Sequence, residues 1–139
     1  MVPGHCEFDI DRRTLPGEGP QQVWADLRAE LAALAPGHVT ADQPHTVDLC
    51  LNTPHHRPLV RAVQEALLGA GLDPTPFGMP FCTDARKFPP RGVDAVVLGP
   101  GSIDDAHTED ESVDLDEVMR TVRLIVATAR SASWREWRG

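Results

Sequence analysis

The run from Val93 to Leu98 restricts the fold of this chain more than any other stretch. It is apolar apart from Asp94 and stops at Gly99-Pro-Gly-Ser102. A short, nearly all-apolar run bounded by glycine reads as a strand covered on both faces, as in a parallel sheet. Five residues after Ser102 comes His107, set among acids in Asp104-Asp-Ala-His-Thr-Glu-Asp-Glu111, and upstream lies the turn Phe81-Cys-Thr-Asp-Ala-Arg-Lys-Phe88. Strand end, glycine turn and histidine together predict a small-molecule site at the carboxyl edge of an α/β sheet.

The rest of the chain sorts by period. His5 to Asp11 alternates, with Cys6, Phe8 and Ile10 on one face and Glu7, Asp9 and Asp11 on the other, which predicts a half-buried strand. Pro16-Gly-Glu-Gly-Pro20 breaks it. Val23, Trp24, Leu27, Leu31 and Leu34 then recur at helical spacing, so residues 20–35 read as an amphipathic helix opened by Pro20 and stopped by Pro36-Gly37. Val47, Leu49 and Leu51 alternate with Thr46, Asp48 and Cys50 as a second strand. Strand, helix, strand is half of a ferredoxin-like sandwich.

Asn52-Thr-Pro-His-His-Arg-Pro58 reads as a linker, dividing the chain into parts 1–53 and 54–139. Beyond it, Leu59, Val63, Ala66, Leu67 and Ala70 predict a helix opened by Pro58 and closed by Gly71. Three prolines and a glycine between Asp73 and Pro80 exclude regular structure there. Asp114 and Glu117 have the spacing of a capping box, and Leu115, Val118, Val122, Ile125 and Ala129 behind it predict a helix to about Arg130. The tail from Trp134 to Gly139 shows no readable pattern. The fold class is therefore α/β with an α+β first part.

Composition bounds the function. With 139 residues the chain is one ordinary domain's worth. Its net charge of −8 argues against nucleic acid and anionic membranes as partners, since both require basic surface. No apolar run approaches the roughly 20 residues that span a bilayer, and no signal peptide precedes the first motif. Cys6, Cys50 and Cys82 are scattered, without a Cys-x-x-Cys pair, which suits a reduced, cytoplasmic protein.

Each candidate site residue carries two readings. His107 alone is a solvated loop histidine; its position after the strand end makes it a candidate ligand. Asp110 and Glu111 are either carboxylates that orient that ring or a solvated acidic turn, whereas Asp104 and Asp105 read as surface charge. In the turn of Thr83, Asp84 and Arg86, the arginine offers a planar fork to a carboxylate or pairs with Asp84 or another acid. An anion cradle at Gly99 to Ser102 is opposed by Pro100, which lacks a donor, and by the want of a following lysine. A turn that admits a ligand to the backbone at Gly101 and Ser102 fits better. His5, His38, His45, His55 and His56 have no site-like spacing, and Ser102 with His107 lacks a nucleophile elbow.

Cys82-Thr-Asp-Ala-Arg86, Leu98-Gly-Pro-Gly-Ser102 and Ala106-His-Thr-Glu-Asp-Glu111 together resemble the carboxyl-terminal signature of metallopeptidase family 20, the acetylornithine deacetylase and succinyl-diaminopimelate desuccinylase deacylases. Val2-Pro-Gly-His-Cys-Glu-Phe-Asp-Ile-Asp-Arg-Arg13 with Leu15-Pro-Gly17 is similar to the strand through that family's lid domain. The resemblance implies a strand-helix-strand half of a lid or dimerisation domain over 1–53. It implies the carboxyl-terminal helix-strand-helix of a zinc-peptidase-like catalytic domain over 54–139. It also implies a two-metal zinc or cobalt site with His107 as one ligand, and an N-acyl amino acid substrate whose carboxylate Arg86 meets. A homo-oligomer formed through the lid and a place in arginine biosynthesis follow in the same way. The Thr-Asp turn is closest to acetylornithine deacetylases, while arginine at 86 is more like the desuccinylases.

The family's chemistry also needs a His-x-Asp segment and a Glu-Glu pair whose first member is the general base. Neither dipeptide pattern occurs in this sequence. The resemblance therefore implies the carboxyl-terminal portion of a deacylase, inactive without an amino-terminal half. The alternatives are a non-catalytic, self-associating interaction module, and a small α/β domain that binds an anion at Gly99 to Ser102.

Overall fold

Proline opens two of the three helices because its fixed φ suits the first turn and its missing N–H would have no partner there. In the computed structural model, which describes residues 3–131, α1 spans Pro20–Leu34, α2 Pro58–Gly69 and α3 Leu115–Arg130. Two short 3-10 turns, Asp84–Lys87 and Pro89–Arg91, lie between α2 and α3. All three helices sit where the apolar periodicity places them.

The α/β expectation fails. No strand forms among the described residues, and the segments 5–11, 46–51 and 93–98 are irregular. The reason is physical: alternation and apolar runs state which side of a segment avoids water, but a strand exists only when a neighbouring edge takes its N–H and C=O groups. Where these segments do meet others, the links run through side chains: the Asp94 carboxylate pairs with Arg57, and two threonine hydroxyls add further links. Thr14 Oγ1 donates to Asp48 O at 3.3 Å, and Thr53 Oγ1 donates to Ala95 O. The expected inward faces lie open as well: Phe8 and Ile10 are 74% and 56% exposed, and Val47 and Leu49 are exposed while Asp48 and Cys50 are half-buried.

The chain divides into two units, residues 1–50 and 51–139. In the first, Leu15-Pro-Gly-Glu18 makes a tight turn with Gly17 at φ 91° and Glu18 N–H donating to Leu15 O at 3.1 Å. Glu18 then receives both terminal nitrogens of Arg12, at 2.6 and 2.7 Å, and the Leu15 N–H at 2.6 Å. Three donors on one carboxylate hold it at about 2, far below the usual range, the Arg12 hydrogen bonds being the largest cause. This clamp and Val23, Asp26, Leu27 and Glu30 of α1 line a shallow cavity of about 240 Å³. No residue of α1 is fully buried.

In the second unit α2 packs against α3, and among the described residues Val60, Ala62, Ala66, Leu124 and Thr128 are buried. α2 ends in a left-handed stop: Gly71 has φ 71°, Leu72 N–H reaches back to Leu67 O and Gly71 N–H to Leu68 O. That bonding pattern needs a residue without a Cβ penalty. At the other end, Arg57 caps α2, and its Nε lies 2.8 Å from both oxygens of Asp94. The 93–98 run is thus tied to the start of α2 by an ion pair and the Thr53 hydroxyl.

Asp114 caps α3 as its spacing suggests, accepting from Asp116 N–H at 2.7 Å. Glu117 does not close the box on the helix; its carboxylate accepts from Gly101 N–H at 2.9 Å instead.

Two outcomes follow from this packing. The Thr128 hydroxyl is buried without a hydrogen-bond partner, so Thr128→Val removes a stranded polar group while keeping the shape, and is expected to stabilise the second unit by about 1 kcal/mol. A higher midpoint in urea denaturation is the readout, and an unchanged or lower one contradicts it. The Glu18 carboxylate ionises more easily folded than unfolded, so its stabilisation is complete above the ordinary carboxylate range and is lost as pH falls toward about 2. Glu18→Gln is therefore expected to flatten the acid limb of stability against pH and to lower stability at neutral pH; identical acid limbs would contradict this.

Candidate functional site

The turn at 83–87 is closed by its own groups. Thr83 Oγ1 accepts from Ala85 N–H at 3.2 Å, and Arg86 donates from both its backbone N–H and its Nη1 to Thr83 O, the latter at 2.9 Å. Asp84 pairs with Lys87 at 2.7 Å, an i,i+3 neighbour along the turn. Lys87 holds the Asp84 carboxyl below its ordinary range, chiefly through the hydrogen bond and then through charge. The partner of Asp84 is thus Lys87, whose spacing was there to be read in the sequence, while Arg86 is oriented by the carbonyl three residues before it. The second 3-10 turn follows at once. Gly92, at φ 76°, closes it and directs the chain into the 93–98 run.

The loop 99–111 is built differently, by acids fastening backbone N–H groups. Gly101 adopts φ 82°, and a Cβ there would meet Val113 Cγ2 at 3.5 Å. Conformation rather than space makes glycine necessary. Its N–H is held by Glu117 from the first turn of α3. Ser102 Oγ accepts from Asp104 N–H at 3.2 Å, and Thr108 Oγ1 donates to Asp105 O at 2.7 Å. His107 is the one described non-glycine residue with positive φ, at 64°. Its N–H donates to Glu111 Oε2 at 3.1 Å. A left-handed histidine costs about 1 kcal/mol or more, and the Glu111 bond supports that geometry.

Glu111 accordingly fixes the backbone of His107 and not its ring. The imidazole is exposed, as are Asp110, Gly101 and Ser102. The arrangement presents one histidine on a pinned turn, with carboxylates at hand. Among the described residues no three His, Cys, Asp or Glu side chains come together in a way that could hold a metal ion. Zinc-type sites take three or four protein ligands, so the described residues do not by themselves fit the two-metal centre that the sequence resemblance implies. The contribution of Glu117 was hidden because a carboxylate at the third helical position ordinarily turns back on its own helix.

No helix of the described residues is long and apolar enough to cross a membrane. Trp134 to Gly139 lies outside the described residues.

Comparison with known proteins bears on the whole of this region. Residues 18–131 match the family described as Peptidase family M20/M25/M40. Among curated proteins the chain is similar to the acetylornithine deacetylase of Myxococcus xanthus, 31% identical over 123 residues that are 86% of this chain and 31% of that protein. It is also similar to that of Photorhabdus laumondii subsp. laumondii, 32% identical over 124 residues, 87% of this chain and 31% of the relative. The acetylornithine deacetylase of Edwardsiella ictaluri is 32% identical over 123 residues, 86% of this chain and 30% of the relative. No solved structure matches. The chain therefore spans under a third of the length of these relatives. With the family matched over most of its residues, including the 83–87 turn and the 99–111 loop, this chain belongs to Peptidase family M20/M25/M40.

Proposed function

We propose that the chain is the carboxyl-terminal part of a metal-dependent amide hydrolase that deacylates N-acyl amino acids, and that it is inactive without a separate amino-terminal segment. The observation that carries this reading is the match of residues 18–131 to the hydrolase family, joined to a loop that offers a single exposed imidazole. In this reading His107 is one ligand of a zinc- or cobalt-type site completed from outside the chain. Arg86 meets the substrate carboxylate, Thr83 and Asp84 of the same turn contribute to substrate binding beside it, and Gly101 and Ser102 line the approach. Glu111 keeps the His107 turn in place, and Asp110 is the carboxylate assigned to orient the ligand ring. The metal would supply an activated water; the residues of this chain hold and orient, and no proton transfer is assigned to them. The likeness to acetylornithine deacetylases points to N-acetylornithine and to arginine biosynthesis in the cytoplasm. The second reading, a non-catalytic interaction module, draws on the uncovered apolar residues of both units.

The chain with zinc or cobalt and N-acetylornithine is expected to show no turnover. Adding the amino-terminal two-thirds of an acetylornithine deacetylase in trans is expected to produce it. In that mixture His107→Ala and His107→Asn should each lower kcat/KM by about 100-fold or more. Asparagine tolerates positive φ, so activity surviving in the Asn variant alone would reduce position 107 to a backbone role. Turnover by the chain alone would refute the proposal.

A further inference from the structure

The loop that carries His107 closes on itself. A Cβ at Gly101 would meet Val113 Cγ2 at 3.5 Å, so the chain returns to its starting point just before α3 begins. Gly101 to Val113 falls within the roughly 6–16 residues of an Ω-loop, a segment whose ends meet and whose own groups fill it. Inside it, Asp105 N–H donates to Ser102 O at 3.2 Å, Ala106 N–H to Ile103 O at 3.3 Å and Glu111 N–H to Thr108 O at 3.3 Å. Ser102 Oγ, Thr108 Oγ1 and Glu111 Oε2 make their bonds within the same stretch. Among the described residues one hydrogen bond ties this loop to a helix, from Gly101 N–H to the Glu117 carboxylate at 2.9 Å. His107 stands midway between Gly101 and Val113 and is exposed.

We propose that Glu117 is a positioning residue, a latch that sets where the loop, moving as one piece, carries the His107 ring. The latch follows from the geometry; its consequence for turnover rests on the hydrolase reading of the chain. The internal bonds fix the shape of the loop, positive φ at His107 included, but a shape without an anchor has no fixed direction. Glu117 supplies the anchor from the first turn of α3, a helix itself packed on α2. Its acceptor is a carboxylate, and a hydrogen bond to an ionised acceptor is about twice as strong as one between neutral groups. Gly101, at φ 82°, delivers its N–H from a conformation that a side chain would strain. The 83–87 turn is closed by its own groups and makes no bond to Glu117. Glu117 therefore acts on the histidine and not on the arginine.

Two measurements on the full 139-residue chain test this. In the first, Glu117→Ala is expected to speed amide hydrogen exchange at Gly101 about tenfold or more, while His107 keeps the N–H to Hα coupling of a positive φ. Glu111→Ala should do the reverse, disturbing His107 and sparing Gly101. Glu117→Gln keeps an oxygen acceptor and should stay close to the unsubstituted chain. Asp116→Ala removes a charge from the same helical turn, where no side-chain bond to Gly101 exists, and should do so too. In the second measurement the chain is mixed with the amino-terminal two-thirds of an acetylornithine deacetylase and N-acetylornithine. Glu117→Ala should lower kcat about tenfold and leave KM in place, because the arginine turn is untouched, and Glu117→Gln should recover it. Four results would each overturn the proposal: Gly101 exchange indifferent to Glu117→Ala, equal effects of Asp116→Ala and Glu117→Ala, loss of the His107 coupling in Glu117→Ala, or an undiminished kcat for Glu117→Ala in an active mixture. A mixture that shows no turnover with the unsubstituted chain counts against the hydrolase reading instead, and the exchange rates then decide the latch.

Discussion

The second unit rests on one seam, the contact of α2 with α3, because that is where burial occurs among its described residues. The buried residues are Val60, Ala62 and Ala66 on α2 and Leu124 and Thr128 on α3, and Ala66 and Leu124 line one cavity between the two helices. Burying a side chain such as Leu124 is worth roughly 2 kcal/mol, so a handful of residues carries the packing. Two of the intervening segments are fastened to the starts of these helices by polar bonds. Arg57 at the head of α2 holds Asp94, and Glu117 at the head of α3 holds Gly101. The 93–98 run and the 99–111 loop are therefore anchored at helix starts, while the 83–87 turn is closed by its own groups.

Such an arrangement explains why the loop can be well defined yet open. Its acids serve as acceptors for N–H groups, as in Glu111 to His107 and Glu117 to Gly101. A ring carried on a turn held by its backbone remains available to partners beyond this chain, which is what a shared centre would require. The stripe of α3 that carries Leu115, Met119, Val122 and Val126 is likewise apolar and exposed.

The sites of local chemistry were legible in advance. Pro20, Pro58 and Asp114 start helices for reasons contained within one turn of chain, and Gly71 stops one for a reason contained in its own φ. The 83–87 turn and the 99–111 loop stood out because glycine, threonine and acids cluster there. What the spacing could not show was the partner of each acid. Asp84 chose Lys87 over Arg86, and Glu117 chose Gly101, sixteen residues upstream, over its own helix.

Sequence alone thus determined the three helices, the glycine positions and the family, since these depend on neighbours within a few residues or on motifs copied intact. The tertiary structure decided that Val93 to Leu98, Val47 to Leu51 and Cys6 to Ile10 form no sheet, and which edge of α3 is buried. A helix satisfies its own backbone, so its existence is a local property. A strand borrows its hydrogen bonds from another segment, and an apolar face is covered only by whatever packs against it. Both outcomes belong to contacts between distant parts of a molecule, on which periodicity is silent.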